Sequence, residues 1–383
     1  MRVLMVGGRW DADGGRPSGL FARIAARVAE SHDATVRNGG DYGELPGLLG
    51  ECAGYGCVFW MPDVPNQLGK ERDVKAHAPR VMLVTSKRND GARYGDRELV
   101  MRALAAKANL LVEFSRDAGT GRFRMRVLDP LGNEWHEGDD PAAAADAIMA
   151  RVGFLASMRR EGTSCEGPDA PVPGQPGFVA HVREVAEEVQ ALVPEDPDSP
   201  RFLGNASFRE TRCMRTFPSF RGGDAAFVSR RNVEKRFIGE DDFVPVRLGD
   251  GRLMYRGAHK PSVDSPIQAR LYQALPNINY MVHAHCYAEG APFTERCVPC
   301  GALQEVDEVL AAIGRSGDGP DVRAYAVNLR GHGCILMAAT LDEMPRPRLV
   351  ARPMPERHGE GAGWPQDAAA DASGQDEGEA ASL

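Results

Sequence analysis

The sequence predicts an α/β protein in two parts, a parallel-sheet domain followed by a second α/β domain with more and shorter strands. Three observations lead there. At roughly 150 residues per domain, 383 residues suffice for two with chain to spare. Short apolar runs alternate with helical patterns through the first 155 residues, as strands joined by covering helices do. Pro and Gly then fill seven of the eleven positions from 167 to 177, too many for the interior of any element.

In chain order, residues 3–6 read as a buried strand and 20–28 as a helix. Residues 57–61, 81–85 and 110–114 are further strands, with a helix over 97–107. Phe123–Leu128 alternates like an edge strand, the run from Asp129 to Asn133 is a turn, and 141–154 closes the domain as a helix. The whole of 1–156 is expected to be Rossmann-like or flavodoxin-like, with 157–177 as linker. Beyond it, Phe178, Val182, Val185, Ala186, Val189 and Leu192 share one helical face. Strands follow at Ala225–Ser229, 243–247, Arg252–Arg256, 280–285 and Ala324–Leu329, with helices at Ser265–Ala274 and 304–313. This second domain is expected to span 178–345.

Composition narrows the function. No run of about 18 apolar residues occurs, so no membrane span is expected. The N-terminus lacks a signal peptide's apolar stretch, and eight cysteines are too few and scattered for a disulfide scaffold; a reducing cytoplasm is expected. Net charge is −8. From His358 onward lie six acids and no Lys or Arg, which leaves the remainder close to neutral, so no nucleic-acid footprint is expected. Residues 346–383 read as a Pro-rich, then acidic, disordered tail.

Chemistry concentrates in a few places. In a strand, residues two apart face the same side, so His283 and His285 present two imidazoles together, suited to a divalent metal. His332, in Arg330-Gly331-His332-Gly333, is the best third ligand. The competing reading is a pair of half-buried histidines bonded to backbone. Cys297 and Cys300 have zinc-knuckle spacing but lack a second pair; with Cys286 and Cys334 they read as small buried hydrophobes. In the first domain, the loop containing Gly8, Gly14, Gly15, Arg16 and Ser18 could cradle a phosphate, although it fits neither standard nucleotide fingerprint. The loops at 38–40 and 85–90 are expected at the same carboxyl edge, where a nucleotide or sugar phosphate would bind.

The order Gly204-Asn205-x-Ser207-x-Arg209, Lys260-Pro261-Ser262-x-Asp264, Tyr272 to Pro276, His283/His285 and His332 resembles the class II aldolase/adducin family. The resemblance covers about residues 178–340. It implies an α/β/α domain around a mostly antiparallel sheet, a zinc or similar ion on His283, His285 and His332, and tetramers with sites at subunit contacts. Family members act on small sugar phosphates or related polyols, where metal chelated by substrate oxygens stabilises an enediolate. By the match, Asp264 is the acid/base residue, while Asn205, Ser207, Ser229, Arg230 and Ser262 hold the anionic end. The implied function is lyase chemistry. Asp in place of the Glu of many family aldolases looks more like the ribulose-phosphate 4-epimerase branch, and a non-catalytic adducin-like scaffold is the further alternative. A helix cap is the rival role for Asp264.

The departures are specific. Ser229-Arg230-Arg231-Asn232 replaces the family's small-residue loop, in a region also basic at Arg215, Arg221, Lys235 and Arg236. Prolines 345, 347, 353 and 355 stand where C-terminal helices are usual. No tyrosine stands out as the family's proton-transfer residue; Tyr287 and Tyr325 are available.

Overall fold

A computed structural model describes residues 1–64, 71–116, 119–193, 204–209, 225–249, 251–317 and 323–358. The chain divides into two compact units, Met1–Val152 with the stretch from Met354, and Gly153–Pro353.

The first unit is built on strands β1 (Arg2–Asp11), β2 (Asp33–Asp41), β3 (Cys57–Trp60), β4 (Met82–Arg88), β5 (Leu110–Arg116), β6 (Phe123–Leu128) and β7 (Asn133–Gly138). The first five run parallel in the order β2-β1-β3-β4-β5, and β6 and β7 continue antiparallel. Helices α1 (Gly19–Ala29), α2 (Leu45–Glu51), α3 (Glu71–His77), α4 (Asp96–Ala106) and α5 (Pro141–Ser157) connect and cover them. The apolar run of β1 shows why both faces are covered. Leu4 and Val6 pack with Trp60 and Leu99 on one side, while Val3 and Met5 pack with Ile24 and Ile148 on the other. Such strands, buried on both faces, need helices above and below.

The second unit holds β8 (Thr163–Gly167), β9 (Asn205–Phe208), β10 (Ala225–Ser229), β11 (Phe243–Gly249), β12 (Arg252–Arg256), β13 (Tyr280–Ala284), β15 (Ala324–Leu329) and β16 (Gly333–Ala338) in one sheet. The order is β15-β16-β13-β9-β10-β11-β12-β8, antiparallel except for the β12–β8 pair. Helix α6 (Pro176–Leu192) packs on one face, and α7 (Ser265–Ala274) and α8 (Gln304–Arg315) on the other. Two short strands, β14 (Tyr287–Ala288) and β17 (Leu349–Val350), pair outside the main sheet. This is the α/β/α arrangement around a mostly antiparallel sheet. No helix among the described residues is long and apolar enough to cross a membrane.

Three expectations are corrected. Phe123–Leu128 is not an edge, because β7 pairs with its far side. Residues 157–177 are not a bare linker: β8 lies along β12, with Glu166 salt-bridged to Arg247 at 2.5 Å, and Pro176 opens α6. Proline suits a helix's first turn, where its missing N–H is not needed. Residues 346–358 are ordered too. Glu356–Arg357 (β18) lies parallel on β7, and the His358 ring stacks on Trp135 at 4.7 Å while bonding Asn133 Oδ1 at 2.9 Å. The expected acidic tail at 359–383, with Arg215 and Arg221, falls outside the described residues.

His358→Ala is therefore expected to destabilise the first unit by about 1–2 kcal/mol, from one aromatic contact and one hydrogen bond. Urea unfolding followed by tryptophan fluorescence checks this. A change within about 0.3 kcal/mol would mean that the strand adds nothing to the unit.

Candidate functional site

The site of the second unit starts from strand β9 and helix α7. Residues two apart in a strand advance by about 6.7 Å, close to the 6 Å between residues four apart in a helix. Here the two periods meet. Asn205 Oδ1 accepts from Gln268 Nε2, and Ser207 Oγ lies 2.9 Å from Tyr272 Oη. Two positions further along, Arg209 donates to the carbonyl oxygens of Tyr272 (2.9 Å) and Leu275 (3.3 Å). A cation at that point matches the negative end of the helix dipole. The Asn-x-Ser-x-Arg motif thus fastens α7 along its length.

At the start of that helix stands Asp264, in the N-cap position, yet its side chain makes no capping bond. Instead Oδ2 accepts from Asn205 Nδ2 at 2.9 Å. Oδ1 is buried with no partner among the described residues. The capping role considered for Asp264 is therefore not its role here. Gln268, 1% exposed, orients Asn205, and Asn205 orients the carboxylate.

Directly across from Asn205 in the sheet register is His283. His283 lies within β13, and His285 follows one residue past the strand's end. His332 enters from the turn between β15 and β16. Two glycines let these segments approach. A Cβ on Gly333 would lie 2.0 Å from Ala284 O, and one on Gly204 would lie 2.6 Å from His283 O. Tyr287 Oη accepts from Gly331 N at 2.9 Å and fixes the turn before His332.

The three rings form a compact triangle with centroid separations of 4.6–5.0 Å, and one nitrogen from each lies within 4.8 Å of the others. Such a set could hold a metal ion. His283 Nδ1 lies 2.8 Å from Cys334 O, which assigns the proton there and leaves Nε2 as a lone pair, buried and without a partner among the described residues. His332 Nδ1 lies 3.3 Å from Glu305 Oε2, and its Nε2 lies 3.0 Å from Cys300 Sγ. A carboxylate behind a ligating histidine is the usual way to fix its tautomer.

Burial drives the electrostatics. It lowers His283 to about 4, helped by the charge of His332, and takes His285 well below the ordinary histidine range for the same reasons. At His332 burial opposes the charge, but Cys300 and Glu305 outweigh it and raise the group. Burial also raises the Glu305 carboxyl. Two of the three imidazoles are thus neutral, the form that binds metal. A cavity of about 70 Å³ touches His283, His285 and Asn205, with Val182, Val185 and Val189 of α6 on its other wall.

Other expected site residues are engaged elsewhere. Ser207 is fully buried on Tyr272, and Ser229 Oγ, also fully buried, accepts from Ala206 N at 3.1 Å. Neither hydroxyl is offered to a substrate. Asn205 holds Asp264, and Arg230 pairs with Asp242 at 2.7 Å. Ser262 donates its N–H to Ser229 O at 3.0 Å, beside Asp264. Tyr325 is a core residue. Cys300 is half-buried against His332, which corrects its reading as a buried hydrophobe; Cys286, Cys297 and Cys334 are buried.

Sequence reasoning missed Glu305, Gln268 and the Cys300 contact. One signal was there. Glu305, Val309 and Ala312 share a helical face at i, i+4 and i+7, so an acid stood on a stripe that packs inward.

In the first unit the loop after β1 folds back as a hairpin, with Arg9 N bonded to Arg16 O (2.8 Å) and Arg16 N to Arg9 O (2.9 Å). Ser18 caps α1 by accepting from Phe21 N, and Asn38 clamps its backbone from both sides. Residues 38–40 lie within β2 rather than in a loop after it. Gly8, Arg16 and Ser18 border a cleft at the strands' carboxyl ends; Gly14 and Gly15 belong to the hairpin turn instead.

Residues 199–345 match the family model for the Class II Aldolase and Adducin N-terminal domain. No curated protein matches the sequence. Among solved structures, the chain is similar to the L-fuculose-1-phosphate aldolase from Thermus thermophilus, with 18% identity over 43% of this chain and 80% of that one and a TM-score of 0.27. It is also similar to the DNA/pantothenate metabolism flavoprotein from Streptococcus pneumoniae, with 12% identity over 41% of this chain and 99% of that one and a TM-score of 0.32.

Proposed function

Given a class II aldolase and adducin domain at residues 199–345, we propose that the second unit is a metal-dependent lyase for a small sugar phosphate or related polyol. The observation that carries this reading is Asp264 Oδ1, a buried carboxylate oxygen left without a partner beside three convergent histidines. A carboxylate oxygen buried without a hydrogen bond costs stability, so its retention fits a group that exchanges a proton with substrate.

His283, His285 and His332 would hold the ion, and their nitrogen donors suit zinc. When bound, it supplies Lewis-acid charge at a substrate carbonyl oxygen. The chain's own residues do the rest. Cys334 O and Glu305 fix the tautomers of His283 and His332. Gln268 and Asn205 aim Asp264, which takes the hydroxyl proton as the carbon–carbon bond breaks and returns it in the reverse direction. In this reading the chain works as a cytoplasmic homotetramer, and its first unit holds a nucleotide or other phosphorylated molecule.

The shorter carboxylate at 264 favours, as a second reading, epimerisation through cleavage and re-addition. Incubation with a panel of ketose phosphates separates the two. A free aldehyde fragment means lyase, and a stereoisomer without fragments means epimerase. Metal analysis tests both against a scaffold: below about 0.2 ion per chain after gentle purification, the metal reading falls, since a catalytic site is normally near full occupancy.

Glu305→Gln keeps the shape but removes the charge behind His332. It is expected to weaken zinc binding about 10–100-fold, read by competition with a chromophoric chelator. Unchanged affinity would remove Glu305 from the site.

A further inference from the structure

The first unit contains a cleft that the chemistry of the second leaves unused. Its parallel strands run β2-β1-β3-β4-β5, so the connections go to opposite sides of β1. In doubly wound sheets the loops part at that reversal, outside the carboxyl ends of the strands. A cleft of about 1100 Å³ lies there, bordered by the ends of β1, β3, β4 and β5, and is large enough for a nucleotide-sized ligand.

Its charge is uneven. Seven Arg and Lys residues line it against three carboxylates, and Asp11, just outside the lining, pairs with Arg9 at 3.3 Å. Residues 1–152 as a whole carry 21 basic and 21 acidic residues, so the cleft gathers cations that the unit's composition does not favour. They come from separate elements: Arg16 from the hairpin after β1, Lys87 from β4, Arg102 from α4 and Arg116 from the end of β5. Among the described residues, the guanidinium groups of Arg16, Arg102 and Arg116 pair with no carboxylate, although the Arg116 backbone N–H donates to Asp90 Oδ1 at 3.1 Å, and Arg88 pairs with Asp90 at 2.5 Å. Lys87 and Arg102 flank the ring of Tyr94, at 4.6 and 5.8 Å from its centre. On another wall Phe114 and Phe123 stack at 6.2 Å.

We propose that this cleft binds a nucleoside triphosphate, with the phosphates against Arg16, Lys87, Arg102 and Arg116 and the base against the Phe114–Phe123 pair. The proposal rests on the reading of the first unit as a phosphate-binding domain and narrows it. A triphosphate carries about four negative charges, enough to meet Arg16, Lys87, Arg102 and Arg116 together, which a single phosphate would leave half unmet. The aromatic wall has no use for a bare polyanion, but every base has a face to stack on it.

The test is calorimetric titration of the full-length protein with inorganic tripolyphosphate and with each of the four ribonucleoside triphosphates. Saturable binding of both ligand types is expected, with the best nucleotide at least about fivefold tighter than tripolyphosphate. Arg16→Ala and Arg102→Ala should each weaken both about tenfold or more, since each removes a charge-assisted contact. Phe123→Ala should weaken only the nucleotide. Arg37→Ala, the same charge change on β2 outside the lining, should alter neither. Failure of both ligands to saturate, or equal losses in Arg37→Ala and Arg16→Ala, overturns the phosphate-binding reading together with the proposal. Equal affinity for tripolyphosphate and every nucleotide overturns the nucleoside assignment alone. Circular dichroism checks that the variants fold, as expected with Arg16, Arg37 and Arg102 exposed and Phe123 half-buried at the margin of the core, and none of these readouts depends on turnover in the second unit.

Discussion

His283→Ala is expected to abolish both metal retention and turnover while the second unit stays folded. Among the described residues, the ring supplies a buried nitrogen lone pair in the triangle with no other partner. Losing one of three nitrogens leaves too few ligands to hold an ion against water. The stability cost is modest, about 1–2 kcal/mol for the bond to Cys334 O and its packing, against a typical domain stability of about 5–15 kcal/mol. The neighbouring sheet offers support in Met281, Ile335 and Met337, which are buried in the core without the imidazole. Elemental analysis of the purified variant, with circular dichroism as the fold control, reads the result. Metal content and activity near wild type would mean that the ion, if any, sits elsewhere. His285→Ala should behave alike, with less effect on stability, because His285 lies beyond the strand.

For Asp264→Asn the expected result is a rate about 10²–10⁴-fold lower with metal content and fold preserved. The amide oxygen can still accept from Asn205 Nδ2, so the contact that orients residue 264 survives. Since the native carboxylate does not cap the helix, no cap is lost, and stability should change by under about 1 kcal/mol. Thermal unfolding and steady-state rates on the substrate found by the ketose phosphate panel give the two numbers. A wild-type rate would remove Asp264 from the chemistry. Loss of metal would instead place the carboxylate on the ion.

How much of this could be read from residues alone depends on the distance over which each signal acts. The buried strand at 3–6 and the helix Ser265–Ala274 were legible, since apolar periodicity and a Ser-Pro start are local. The histidine trio was legible from type and spacing, though the approach of His332 depends on Gly333 meeting the Ala284 carbonyl of another strand. Strand β8 was not legible. Its sequence, Thr-Ser-Cys-Glu-Gly, has no apolar alternation, and it is held by one neighbour at the sheet's edge. Nor was the direction of Ser207. Alternation along β9 puts Asn205 and Ser207 on one face, but only the position of α7 decides that this face meets a helix instead of a substrate. Cys300 misled because its spacing from Cys297 suggested a pair, while its partner lies 32 positions away.

The return of the chain to the first unit bears on how the protein is made. Strand β18 completes the edge beside β7, yet the whole of Gly153–Pro353 is translated before it. At about 5–20 residues per second, the 201 residues between take roughly 10–40 seconds to leave the ribosome. Through that interval β7 has no neighbour on its outer side, and an open strand edge invites pairing with another chain. Nascent copies on one messenger are then most vulnerable at β7, and the polar run Asn-Glu-Trp-His-Glu-Gly, with its two carboxylates, is the kind of edge that resists such pairing.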